Sequence, residues 1–183
     1  MNHRIPLVFF LAAMFSQAGS PDGKWCIRSV SHDKKPVIAI CDAAGNLVVV
    51  IDRDTNNFQD ISAKWASDSK GAVLLDQAPL GSGISAAWFD GTKWHPTVES
   101  DSDVDRAETL AKNQGVGGVV KAEDRALGDW ISQDTIQVHG TLHYLSGEKF
   151  SYSYDLQIVP GSYSLNRGGF ETGGLKASNF RAG

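Results

Sequence analysis

The chain has 183 residues, 42% of them hydrophobic and 21% charged, with a formal net charge of −4. That length suits one domain, or one domain with an appended subdomain. The acidic balance, without clustered Lys and Arg, argues against a nucleic-acid partner and a polybasic membrane patch.

Residues 1–18 read as a secretory signal peptide. A short basic start, Met1-Asn-His-Arg4, precedes the apolar run Ile5–Phe15, which is too short to span a bilayer. Ser16-Gln17-Ala18 puts small residues at the two positions a signal peptidase reads, so the expected cut follows Ala18. A cut after Ser20 would leave Pro21 at the new terminus. Cys26 follows Lys24-Trp25 rather than small residues, so no lipoprotein anchor is expected. Residues 19–183 are then a single periplasmic or secreted β domain with no membrane anchor.

Both cysteines fall in the exported part. Cys26 and Cys41 sit on two apolar runs, Trp25–Val30 and Val37–Cys41, and are equidistant from the Asp33–Lys34 midpoint. A regular hairpin opposes them, and an oxidising compartment favours their pairing as a structural disulfide. On the loop-entropy view so short a closed loop contributes about 3 kcal/mol at most. No Cys-x-x-Cys spacing suggests redox catalysis.

Leu47–Ile51 is continuously apolar and β-branched, the pattern of a central strand with both faces covered. Phe58–Trp65 and Ala72–Leu75 read as further strands. Ile84–Phe89 and Thr92–His95 flank Asp90-Gly91, a strong two-residue hairpin signal. That turn pairs Phe89 with Thr92, Trp88 with Lys93, Ala87 with Trp94 and Ala86 with His95. Phe89, Ala87 and Trp94 then share a core face. Trp88, Lys93 and His95 share the other, a candidate binding surface with Ser82 in the Gly-flanked segment before it. Acidic residues early and Lys112 late predict a helix over 103–112, ended near Asn113-Gln-Gly115. Ala122–Leu127 suggests one more helical turn.

The clearest pattern is Ile136–Leu145 and Lys149–Val159. Apolar residues recur at alternate positions on both arms around Ser146-Gly147-Glu148. This is a hairpin with one wet face carrying His139 and His143. On a strand these two lie about 13 Å apart and cannot share a metal. The Gly-rich tail Pro160–Gly183 shows one strand near Tyr163–Leu165.

Catalytic signals fail one by one. Asp101, Asp103 and Asp105 alternate as in a calcium loop, but Arg106 and Lys112 stand where that loop needs Gly and Glu. There is no Gly-x-Ser-x-Gly elbow and no phosphate loop. No catalytic residue, metal or cofactor is assigned, and the five tryptophans chiefly fill a β core.

Two stretches resemble the periplasmic inhibitors of C-type lysozyme. Cys41 precedes the strand 47–51. Leu80-Gly81-Ser82-Gly83 is similar to that family's Ser-Gly-Ser-Gly loop. Trp88-Phe-Asp-Gly-Thr92-Lys93-Trp94 is similar to its Tyr-x-x-x-Thr-Lys-Gly segment. The resemblance covers residues 37–98. It implies a small β-barrel that plugs the lysozyme cleft, with Ser82 and Lys93 inside it. Gly23-Lys24-Trp25 is also similar to the Gly-x-Trp that opens lipocalin barrels, which implies an apolar-ligand cavity.

The sequence therefore predicts an all-β protein, an antiparallel barrel or sandwich with a short helical insertion near 100–128. Functionally it reads as a non-enzymatic binding or inhibitor protein with a protein or glycan partner. The alternatives are a lipocalin-like carrier and a carbohydrate-active enzyme without a recognisable motif.

Overall fold

A computed structural model describes residues 18–52, 61–78, 81–98, 102–159, 165–166, 169–170 and 174–183. The expected signal peptide, apart from Ala18, lies outside them. So do Phe58–Asp60, Asp101 and most of the strand expected near Tyr163–Leu165.

The chain builds three antiparallel four-stranded sheets. The first contains β1 (Ala18–Gly19), β2 (Trp25–His32), β3 (Lys35–Asp42) and β4 (Leu47–Asp52), in that order. The second contains β5 (Ile61–Trp65), β6 (Gly71–Ala78), β7 (Gly81–Phe89) and β8 (Trp94–Val98), again in chain order. Helix α1 (Ser102–Asn113) follows. The third sheet begins with β9 (Val120–Trp130), β10 (Thr135–Tyr144) and β11 (Lys149–Val159). A two-stranded ribbon, β12 (Leu165–Asn166) and β13 (Gly169–Phe170), precedes β14 (Gly174–Ala182). β14 returns beside β11, giving the order β14-β11-β10-β9.

Period-two alternation on the second sheet serves two cores at once. Ala72, Leu74, Ala87 and Trp94 pack against Ile27, Ile38, Ile40 and Ile51 of the first sheet. Val73, Leu75, Ile84, Ala86 and Trp88 pack against the inner face of the third sheet and against Ala107 and Ala111 of α1. The second sheet is thus a middle layer with both faces covered.

The hairpin β10–β11 is as the alternation predicts. Ile136 opposes Leu156, Val138 opposes Tyr154, and Leu142 opposes Phe150, all buried. Gly140 opposes Tyr152, whose ring occupies the space a Cβ at 140 would need. Helix α1 contains the predicted 103–112, and Gly115, at φ +80, follows its end.

Four expectations are corrected. The Asp90-Gly91 connection is a longer loop: the Asp90 carboxylate accepts the Thr92 and Lys93 backbone N–H groups at 2.7 and 2.9 Å. That side-chain turn moves the register, so Phe89 opposes Trp94 and Trp88 opposes His95. β4 is an edge strand, with Leu47 and Val48 at 40% and 39% exposure, rather than a central one. Ala122–Leu127 is strand, within β9, not helix. The tail contributes the nine-residue β14, an integral strand of the third sheet.

Candidate functional site

The middle-sheet hairpin comes first, since the sequence nominates it. Trp88 and His95 do share a face, but it points into the second core, at 8% and 4% exposure. Their rings stack at 4.8 Å with 16° between planes. His95 Nε2 hydrogen-bonds the Asp90 carboxylate at 2.6 Å. This bond, then the Lys93 and Thr92 backbone N–H groups, holds the Asp90 carboxyl well below the usual carboxylate range. Lys93 is exposed in the loop. Ser82 lies within β7 opposite Gln77, and its buried hydroxyl has no hydrogen-bond partner among the described residues. From Ser82 to Phe89 the strand runs roughly 23 Å at the usual rise, so Ser82 and Lys93 stand at opposite ends of the hairpin. The expected surface of Ser82, Trp88, Lys93 and His95 is therefore not one surface: covering of both faces of the middle sheet removes its aromatic and imidazole parts.

The other nominated groups are also dispersed. His139 and His143 lie on the outer face of β10, and His143 Nε2 is 2.7 Å from the Asp124 carboxylate. Cys26 and Cys41 are direct cross-strand partners, as their midpoint implies, and both are buried free thiols. Among the described residues no cluster of three His, Cys, Asp or Glu could hold a metal, and no helix is long and apolar enough to cross a membrane.

What the structure does build is a groove between α1 and β14. Ala107 and Ala111, four apart, bury one face of α1 in the second core. This sets Arg106, Leu110 and Asn113 beside β14. In β14, Leu175 and Ala177 face inward. The pairing with β11 then slips between Ser153 and Asp155. Asn179 adopts φ +53 at this bulge, and its amide donates to the Asp155 carboxylate at 2.7 Å. Bulges re-aim side chains; here Phe180 is laid on the Tyr154 ring at 4.7 Å and 11°. The Arg106 guanidinium sits 5.7 Å from the Phe180 centroid and donates to the Ala177 carbonyl at 2.9 Å. The groove holds about 520 Å³. Arg106 and Lys176 line it, Leu110, Ala177 and Phe180 supply apolar surface, and no carboxylate lines it among the described residues.

Beneath the aromatic stack lies a buried polar row. Glu123 and Arg125 point inward from β9, with side chains 5% and 1% exposed, and pair at 3.1 Å. The Tyr152 hydroxyl donates to Glu123, and Arg125 donates to the Tyr154 hydroxyl at 3.3 Å. The Gln77 amide donates to the Arg125 carbonyl. Burial first, and the Glu123 charge second, push the Tyr152 hydroxyl pKa far up, so Tyr152 stays a proton donor to Glu123. The row ties β9 to β11 and to the middle sheet, and supports the floor of the groove.

Sequence reasoning missed Arg106, Phe180, Glu123 and Arg125. The signal that could have found the groove is the Ala107/Ala111 spacing, four apart on a helix otherwise rich in charge.

Compared with family models, with curated proteins and with solved structures, the chain finds no match in any of the three.

Proposed function

We propose that this chain is an exported, non-enzymatic binding or inhibitor protein whose ligand surface is the groove between α1 and β14. One observation carries the reading: in an acidic chain, a concave surface with an aromatic and aliphatic floor is lined by two cations and, among the described residues, by no carboxylate. Its volume of about 520 Å³ falls in the range of ligand clefts, in which apolar area supplies affinity and a few polar groups fix orientation. The chemistry that fits is an anion with a flat or aliphatic body, either a small molecule or an acidic segment of a partner. Two apolar clusters of packed side chains, one on each face of the middle sheet, support a surface groove over the central cavity of a lipocalin-like carrier. Export rests on the leader pattern of residues 1–18.

Titration with the anionic aromatic probe 8-anilinonaphthalene-1-sulfonate tests the reading. Saturable binding is expected, weakened about tenfold by Lys176→Glu through loss of one charge pair and abolished by Leu110→Glu, with Lys93→Glu neutral. Parent-like affinity in both groove variants refutes it. C-type lysozyme is assayed in parallel. Inhibition that is lost on Lys93→Glu but kept in the groove variants would move the binding surface to the middle-sheet hairpin.

A further inference from the structure

The outer face of the first sheet carries an arrangement that the groove does not use. Cys26 and Cys41 oppose each other there, packed with Ala39 and Val30. Arg28, two residues after Cys26, rises from the same face. Its guanidinium donates to the Gly45 carbonyl. Gly45 stands at φ +87, a conformation that side-chain-bearing residues rarely adopt, and a Cβ there would push the Arg28 guanidinium aside. Arg28 lies diagonally across the β2–β3 ladder from Cys41 on that face, within reach of so long a side chain, and Cys41 is the first cause of the raised Arg28 pKa. Arg28 Nε is buried and has no hydrogen-bond partner among the described residues. A cavity of about 250 Å³ opens onto this group, lined by Trp25, Cys26, Arg28, Asp42 and Gly45 among others. Cys26 lines that cavity and is 6% exposed; Cys41 does not line it and is 0% exposed.

We propose that Cys26 and Cys41 form a reversible thiol–disulfide exchange site, attacked at Cys26 from the cavity, with Cys41 leaving beside the Arg28 guanidinium. The substrate class is a low-molecular-weight disulfide or dithiol. In the oxidising direction the Cys26 thiolate attacks a reagent disulfide. A Cys26–reagent bond forms, the reagent's own S–S bond breaks, and one thiolate departs. Cys41 then loses its proton to solvent and attacks the Cys26 sulfur, expelling the second reagent thiolate and closing Cys26–Cys41. The protein gives up two electrons and two thiol protons, and the reagent becomes two thiols. In reverse, one thiolate of a dithiol attacks the Cys26 sulfur and Cys41 departs as thiolate. Positive charge on the neighbouring Arg28 favours that step by Coulomb attraction to the departing thiolate. A purely structural bridge needs neither the cavity at Cys26 nor a cation at Cys41.

The test uses the purified full chain, with glutathione disulfide as oxidant and dithiothreitol as reductant. Expected results are loss of both thiols on oxidation and their return on reduction. Cys41→Ser should accumulate a glutathione adduct on Cys26, whereas Cys26→Ser leaves Cys41 unmodified while folded. Arg28→Met should slow reduction about tenfold, with Arg28→Lys recovering part of the rate. Near-UV circular dichroism verifies each fold. If Arg28→Met does not fold, Arg28→Lys and the asymmetry of the two serine variants decide. Equal adduct formation at either cysteine, failure to close the bridge, or an Arg28→Met rate within about twofold of the parent would overturn the proposal.

Discussion

Replacing Trp94 with alanine removes the hub of the first core. Trp94 is 6% exposed and lies between the first and middle sheets. Its ring meets Trp25 at 5.7 Å, Trp65 at 5.7 Å and Phe89 at 5.5 Å, the first two edge-on. Truncating a buried Trp costs about 3–5 kcal/mol through lost transfer energy and the cavity left behind. For a domain of this size each kcal/mol moves the midpoint by about 2–4 °C, so a fall of roughly 6–20 °C is expected. The indole N–H is buried and has no hydrogen-bond partner among the described residues. An unsatisfied donor carries a cost of about 1–3 kcal/mol. Trp94→Phe removes that donor while keeping a ring, so its net cost should be about 1 kcal/mol or less. Differential scanning calorimetry of parent, Ala and Phe chains checks both values. An Ala variant melting within about 2 °C of the parent would refute the placement of Trp94 between two layers.

Three more outcomes follow from the third sheet and the turns. Gly140→Ala should cost about 1–3 kcal/mol or more, because its Cβ meets a Tyr152 ring already fixed by Glu123. Gly83→Ala, with nothing within 4 Å, should be nearly neutral; urea midpoints compare them. Arg125→Leu strands the buried Glu123 and should cost about 3–5 kcal/mol, while Glu123→Leu with Arg125→Leu should cost clearly less; a double-mutant cycle by chemical denaturation decides. Asp22 is held at about 2 by the Ser20 hydroxyl and then the Lys24 backbone N–H, and Asp42, Asp90 and Asp134 are lowered as well. Depressed carboxylates stabilise the fold above their unfolded pKa of about 4 and lose that contribution as pH falls through the folded values. Melting temperatures should therefore drop between pH 4 and 2, and Asp22→Asn should flatten part of that slope.

What the sequence made legible was set by how cleanly each strand separates an apolar face from a polar one. β10 and β11 alternate strictly, and their buried residues follow directly. β9 does not, because its inward positions 123 and 125 hold a charged pair, satisfied by Tyr152 and Tyr154 from another strand. Alternation of hydrophobicity cannot report a strand whose buried side chains are ionic. β14 shows only Leu175 and Ala177 before its bulge at Asn179 shifts Phe180 out of step. The faces of β7 and β8 were readable, but not that both would be covered, since that depends on two further sheets. The register slipped because the Asp90 side chain makes its own turn. The groove joins a helix to a strand more than sixty positions later, and nothing local announces such a meeting.

Hydrogen–deuterium exchange with and without saturating 8-anilinonaphthalene-1-sulfonate tests the placement of the ligand surface most directly. The proposed groove site predicts slowed exchange confined to Ser102–Asn113 and Gly174–Ala182, with the amides of β7 and β8 unchanged. Slowed exchange across β7 and β8, with none at α1 and β14, would contradict it.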